Sequence, residues 1–304
     1  MIEAQKITSF LDEKAYNVTD QKIKGVCSLN PIKPSCLLFY NADNKLPLSE
    51  EDKTTLKTCL VLVKKKELLP RGTPCIITTN PRLAYAKILN EFFAKKPQPG
   101  IHPTAIVDNM DFIPENVAIG KFTVIESDVE IGEHTIIDNH VTIKSGTKIG
   151  KHVHIKNGVV LGDEGFGFEF DTNGIPVRIG HHGRLIIGNN VEIGNNCIIS
   201  KGTIDNTIIE DNVKINDFSK IAHNVFIGRN TLIIGAKING SVSIGRNCWI
   251  APGVTIQNKF SIGNGSVIGT GSVVVCNIPE NVIAYGNPAK VVRNIFNENK
   301  IKKL

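Results

Sequence analysis

His223 stands in KIAHNVFIG (220–228), within a stretch where every sixth residue is aliphatic and the residues between look replaceable. A neutral imidazole, with an ordinary pKa of about 6.5, can take a proton from an attacking nucleophile at neutral pH. Asn216 and Asp217 come one hexapeptide earlier. A carboxylate at that spacing would hold the imidazole tautomer or bind an amine. The second concentration of chemistry is LGDEGFGFEFDTNGIPVRIGHHGRLII (161–187), which holds Glu164, Gly165, Phe166, Gly167 and Phe168. A loop of this length inside a compact repeat is usually functional. The pairs His152/His154 and His181/His182 offer nitrogen ligands, but a catalytic metal needs three that converge, and neither pair has a third partner at coil spacing.

The elements that must hold these residues are set by a count of six. Aliphatic residues recur at that spacing from Ile101 to Leu161, then from Ile187 to Ile199, Ile209 to Ile233 and Ile238 to Val274, 26 positions in all. Alternation by two would give an amphipathic strand and 3.6 a helix. A period of six is the hexapeptide pattern of a parallel β-helix, in which three units close one triangular coil. The count therefore predicts eight to nine coils, whose inward residues stack about 4.8 Å apart. A perfect repeat has no site, so the interruptions are where function is expected.

Before the repeat the pattern is mixed. Ile2–Leu11 reads as a short amphipathic helix, and Cys59–Val63 and Cys75–Thr78 as strands. A helix starts at Asn80 (N-cap) and Pro81, with Leu83, Tyr85, Ile88, Leu89 and Phe92 on one face. KKPQPG (95–100) is the natural boundary. The expected organisation is a small α/β domain at 1–98, a β-helix at 99–288 and a short tail at 289–304.

Composition excludes several classes. Apolar residues make up 41% and aromatics 6%, which suits small aliphatic layers. The net charge of +6 is scattered, without the basic stripe and stacking aromatics of a nucleic-acid binder. Seven cysteines without a C-x-x-C pair read as reduced thiols. No stretch has the length of a bilayer span or the apolar run of a signal peptide, so a cytoplasmic protein is expected. Residues 1–94 contain no glycine-rich phosphate loop, which argues against a nucleotidyltransferase.

GDEGFGFE (162–169), HHGRLIIGNNVEIG (181–194) and KIAHNVFIG together resemble LpxD, the bacterial N-acyltransferase of lipid A synthesis. NPRLAYAKILNEFF (80–93) is similar to the end of that family's N-terminal domain. The resemblance implies a left-handed coil, a homotrimer, His223 as general base, and transfer of an acyl group to the amine of a nucleotide-linked amino sugar. It also implies a uracil clamp at Phe39, with Lys45 where a second aromatic is expected and Tyr40 as its substitute. Lys259 stands where the family has a second histidine. The ending SVIGTGSVVVCNIPENVIAYGNPAKVVRN (266–294) is similar instead to coenzyme A-dependent acetyltransferases. That likeness implies a narrow pantetheine wall at Gly269–Gly271 and phosphate contacts from Lys290 and Arg293. The donor expected is therefore acyl-coenzyme A, with hydroxyacyl carrier protein, as in LpxD proper, the alternative. No tightly bound cofactor is implied. A metal-dependent hexapeptide enzyme or a non-catalytic scaffold is the alternative from another class.

Overall fold

The computed structural model describes residues 1–44, 46–95 and 97–295. The chain divides into two compact units, Met1–Lys96 and Pro97–Leu304, each described by itself.

The first unit is a five-stranded sheet flanked by helices. Its order is Lys14–Tyr16, Cys75–Ile77, Leu60–Val63, Cys36–Tyr40, Gly25–Val26, parallel except for the first strand. All four residues of Leu60–Val63 are buried, as expected for a central strand covered on both faces. The helix Pro81–Ile88 begins as its sequence dictates, with the Asn80 side chain accepting from the Leu83 N–H at 3.1 Å. Its inner face differs from the expectation. Ala84 and Ile88 are buried, whereas Leu83 is 52% exposed. A turn with the wider π pitch follows at Leu89–Phe93 and re-aims the aromatics.

The second unit is a left-handed parallel β-helix with eleven-, nine- and seven-stranded faces. Strands pair with partners one coil, 18 residues, away, as in Ala118↔Ile136 and Val124↔Thr142. Isoleucines at the counted positions fill the interior, among them Ile143, Ile155, Ile221 and Ile244, all fully buried. A second buried layer lies two residues before each of them, at positions such as Val117, Thr135, Val153 and Thr231. The threonines there are paired: Thr135 Oγ1 donates to the Gly150 carbonyl at 3.0 Å and accepts from the Val153 N–H at 3.2 Å. Corners turn through left-handed backbone, often at asparagine, which tolerates it best after glycine.

The coil length departs from 18 at four places, one of them the last turn before the terminal hairpin, where Val267 pairs with Ile283. Lys148 pairs with Ile186 across the insertion, Leu185 with Thr207 across an excess at 200–206, and Leu232 with Trp249 after a shortened corner. The prism ends in an antiparallel hairpin, Val282–Gly286 with Ala289–Asn294, that extends the eleven-stranded face. Residues 289–294, expected to be tail, are thus part of the sheet.

Candidate active site

His223 lies at the corner that follows the strand Lys220–Ile221 of the nine-stranded face. Its ring is half-buried and oriented by its neighbours. Nδ1 is 2.9 Å from Asn224 Oδ1 and 3.3 Å from Thr203 Oγ1. The Asn224 amide has one orientation, because Nδ2 donates to the Asp205 carbonyl at 2.9 Å while Oδ1 accepts from Thr203 N–H at 3.1 Å and Oγ1–H at 2.9 Å. Oδ1 therefore faces Nδ1, which must carry the proton. Nε2 is left with its lone pair, the form that a general base needs.

Two glycines border that ring. A Cβ built on Gly240, one coil further, would stand 2.7 Å from His223 Cε1 and 2.8 Å from Nε2. A Cβ on Gly165 would stand 2.8 Å from Cδ2. Only glycine fits at either place without moving the imidazole.

Gly165 comes from the insertion, which crosses the corner at Asp163–Gly167 and runs out as a hairpin, Phe168–Phe170 with Pro176–Arg178. The Glu164 carboxylate accepts from Arg178 Nε at 3.2 Å and from the His181 backbone N–H. Burial works to raise its pKa, but that N–H and the Arg178 charge outweigh it and hold the carboxyl below its usual range. Phe166 and Phe168 contact each other at 4.9 Å between centroids, and Phe166 is 85% exposed. Gly165 thus lies against His223 and His181 and Gly167 against His181, with Glu164 bonded to the His181 backbone, while Phe168 packs under the Arg178 guanidinium in the hairpin.

His181, which follows the hairpin, was weighed in sequence only as half of a metal-ligand pair. The structure turns it inward and His182 outward. His181 is 3% exposed and packs edge-to-face on His223, centroids 5.4 Å apart at 83°. Among the described residues no group of three or more His, Cys, Asp or Glu side chains converges as a metal site. Thr203 and Asn224 carry no signal of this role in the six-residue pattern itself. The available signal was the lapse of the six-count between Ile199 and Ile209, which marks the loop that supplies Thr203.

Other expected residues lie elsewhere. Asn216 and Asp217 sit at the corner after the eleven-stranded face, not beside His223 in the same chain. Asp217 Oδ1 accepts from the Asn195 backbone N–H at 2.7 Å and from Nδ2 at 3.1 Å, bonds that hold its carboxyl low. It belongs to a ladder of stacked turn residues and does not orient the imidazole. Asn216 lines a cavity of about 170 Å³ with Lys156, Glu192, Lys214 and Trp249. Lys259 is exposed in the corner one coil beyond Gly240, whose carbonyl accepts its N–H at 3.0 Å.

The aromatic clamp is not available as expected. Tyr40 is 8% exposed within the core and its hydroxyl donates to the Asn44 carbonyl at 2.9 Å. Phe39 packs on Tyr85 at 5.0 Å within the other core layer of the sheet. Lys45 lies outside the described residues. At the far end, Gly271 faces open space, but a Cβ on Gly269 would stand 2.7 Å from that of Tyr285, so Gly269 seats the hairpin and lines no open channel. Lys290 and Arg293 are exposed on the last strand of the eleven-stranded face, five strands past Lys214–Ile215 in the His223 coil, roughly 20–24 Å along the axis.

The bacterial transferase hexapeptide pattern, as six repeats, matches residues 112–145 and 241–276. The matched segments are similar to the repeats of bacterial hexapeptide transferases. A Saccharomyces cerevisiae protein named provisionally as an acetyltransferase is 46% identical over 88 residues, which are 25% of this chain and 45% of that protein. A Staphylococcus aureus protein named in the same way is 51% identical over 59 residues, 19% of this chain and 30% of its own. The chain thus spans less than half the length of these curated relatives. The solved structure of LpxA from Acinetobacter baumannii superposes with a TM-score of 0.61 at 27% identity, over 67% of this chain and 78% of its own. No helix of the described residues is long and apolar enough to cross a membrane.

Proposed function

We propose that the protein transfers an acyl group from a thioester carrier to the amine of a nucleotide-linked amino sugar, with His223 as general base. The observation that carries this reading is the His223 network, which places the proton on Nδ1 and leaves the Nε2 lone pair on the side of the ring that faces Gly240. The acetyltransferase names of the relatives and the likeness to LpxA support acyl transfer.

In the proposed reaction the amine nitrogen attacks the thioester carbonyl as Nε2 takes its proton. Asn224 Oδ1 accepts the Nδ1–H throughout and stabilises the imidazolium. The Gly240 N–H, whose neighbours Asn239 and Ser241 donate to the Ile256 and His223 carbonyls, is the donor this reading assigns to the developing oxyanion. Collapse re-forms the carbonyl and breaks the C–S bond. The departing thiolate receives the proton from His223, which restores the neutral ring. Amide and thiol are the products.

The donor is acyl-coenzyme A, with Lys290 and Arg293 for its phosphates. Their separation from His223 is on the scale of an extended pantetheine arm. His223 and the Asn216–Gly271 corner lie on different edges of one prism, so the reading requires copies packed edge against edge, and a homotrimer meets that need. A longer acyl group on carrier protein, as in LpxD proper, is favoured by the exposed Phe166 and Phe170, which offer apolar cover to a chain.

Mass spectrometry of products from acetyl-coenzyme A or hydroxyacyl carrier protein, each paired with UDP- and dTDP-linked amino sugars, tests the reading. One donor–acceptor pair should give an amide product, and His223→Ala should lower its rate about a hundredfold or more. Activity of that variant within a few-fold of the parent removes the imidazole from the mechanism.

A further inference from the structure

His181 is the buried polar side chain in this region that the reaction above does not use. Its Nδ1 is 3.0 Å from the Ile179 carbonyl, which can only accept, so Nδ1 carries the proton and Nε2 the lone pair. That Nε2 is buried without a hydrogen-bond partner. Leaving such an acceptor unmatched is costly, so its position calls for a reason. The point where a Gly165 Cβ would stand is 2.9 Å from His181 Nε2 and 2.8 Å from His223 Cδ2, so the lone pair and the edge of the His223 ring flank the same small space beside Gly165. The dipole of this tautomer runs from Nδ1–H, turned to Ile179, to Nε2, turned to His223. Its negative end therefore faces the ring that becomes positive in the proposed reaction.

We infer that His181 is a positioning residue whose uncommitted Nε2 holds the His223 ring edge-on and stabilises it in its protonated state. The inference rests on the proposed role of His223. Burial pushes the His181 pKa below the usual imidazole range, which keeps the ring neutral and the sign of its dipole correct. The charged groups around it are His223, Glu164 and Arg178. Glu164 opposes the depression of the His181 pKa, whereas His223 and Arg178 reinforce it. Gly165 and Gly167 let the backbone lie against the pair, since a Cβ at 167 would also come within 3.1 Å of His181 Cε1.

The test is NMR titration of the His223 ring in the full chain, parent against His181→Phe, which keeps an edge-to-face ring and removes the lone pair. His181→Gln, which keeps an acceptor, is the conservative variant. The expected result is that His223 in H181F takes its proton about three- to tenfold less readily, at lower pH, and that H181Q recovers most of the difference. The acidic limb of kcat/KM against pH, which the base sets, should move in the same direction. An unchanged titration in H181F overturns the inference, whatever the variant does to stability or activity. Should H181F not fold, H181Q and His181→Asn carry the same titration, and identical curves for all of them overturn it. If the titration shifts but no donor–acceptor pair gives product, the proposed reaction fails and the paired imidazoles stand.

Discussion

Gly240 stands where a methyl group would collide with the imidazole it faces. Its φ is not in the left-handed region, so alanine meets no backbone strain there and the collision is the whole effect. Gly240→Ala should therefore leave the thermal midpoint within a few degrees of the parent while kcat falls about a hundredfold, the scale expected when a reacting group is displaced by about 1 Å. Steady-state kinetics beside a thermal melt checks this, and an unimpaired kcat would show that Nε2 works on another side. His223 was legible in sequence because a titratable ring stood in an otherwise monotonous repeat. Asn224, Thr203 and His181 were not legible, because their roles come from one amide orientation and one burial. Asp217 was misassigned for the complementary reason: six residues along the chain is one side of a triangle, which carries it to another edge.

At the scale of the strand and its corner, the six-count located most strands of the prism because each aliphatic residue faces the axis and stacks on its equivalents. It missed the second interior layer, where valine alternates with threonine, cysteine, serine and alanine. Thr135 shows why polar residues are tolerated there: its hydroxyl donates to Gly150 and accepts from the backbone of the next coil. Thr135→Val is nearly isosteric and more apolar, yet it strands a buried carbonyl and a buried N–H at once. It should cost about 1–3 kcal/mol, seen as a lower urea midpoint. A midpoint equal to or above the parent's would mean that burial of the added methyl outweighs both lost bonds. The same logic separates the two ends of the reading of Pro81–Ile88 in the first unit. Helix start at Asn80 is local chemistry and was readable, whereas the exposure of Leu83 depends on which face the sheet covers.

For the whole molecule, the proposed reaction makes the single prism incomplete. His223 is on the edge between the nine- and seven-stranded faces, and Asn216 and the open Gly271 are on the edge between the eleven- and nine-stranded faces. If neighbouring copies join these edges, each site takes its base from one copy and its Asn216 wall from another, so two inactive variants can repair each other. His223→Ala and Asn216→Ala, each assembled alone, should have little activity. Refolded or co-expressed together at equal amounts and purified through a different tag on each, they should recover about a third of the parental rate. A mixed trimer of either composition has one interface in three that joins an intact histidine to an intact asparagine. Mixed oligomers that hold both tags and recover nothing would place the acceptor within one chain and remove the need for a neighbour. Recovery at the expected fraction could not come from either edge alone.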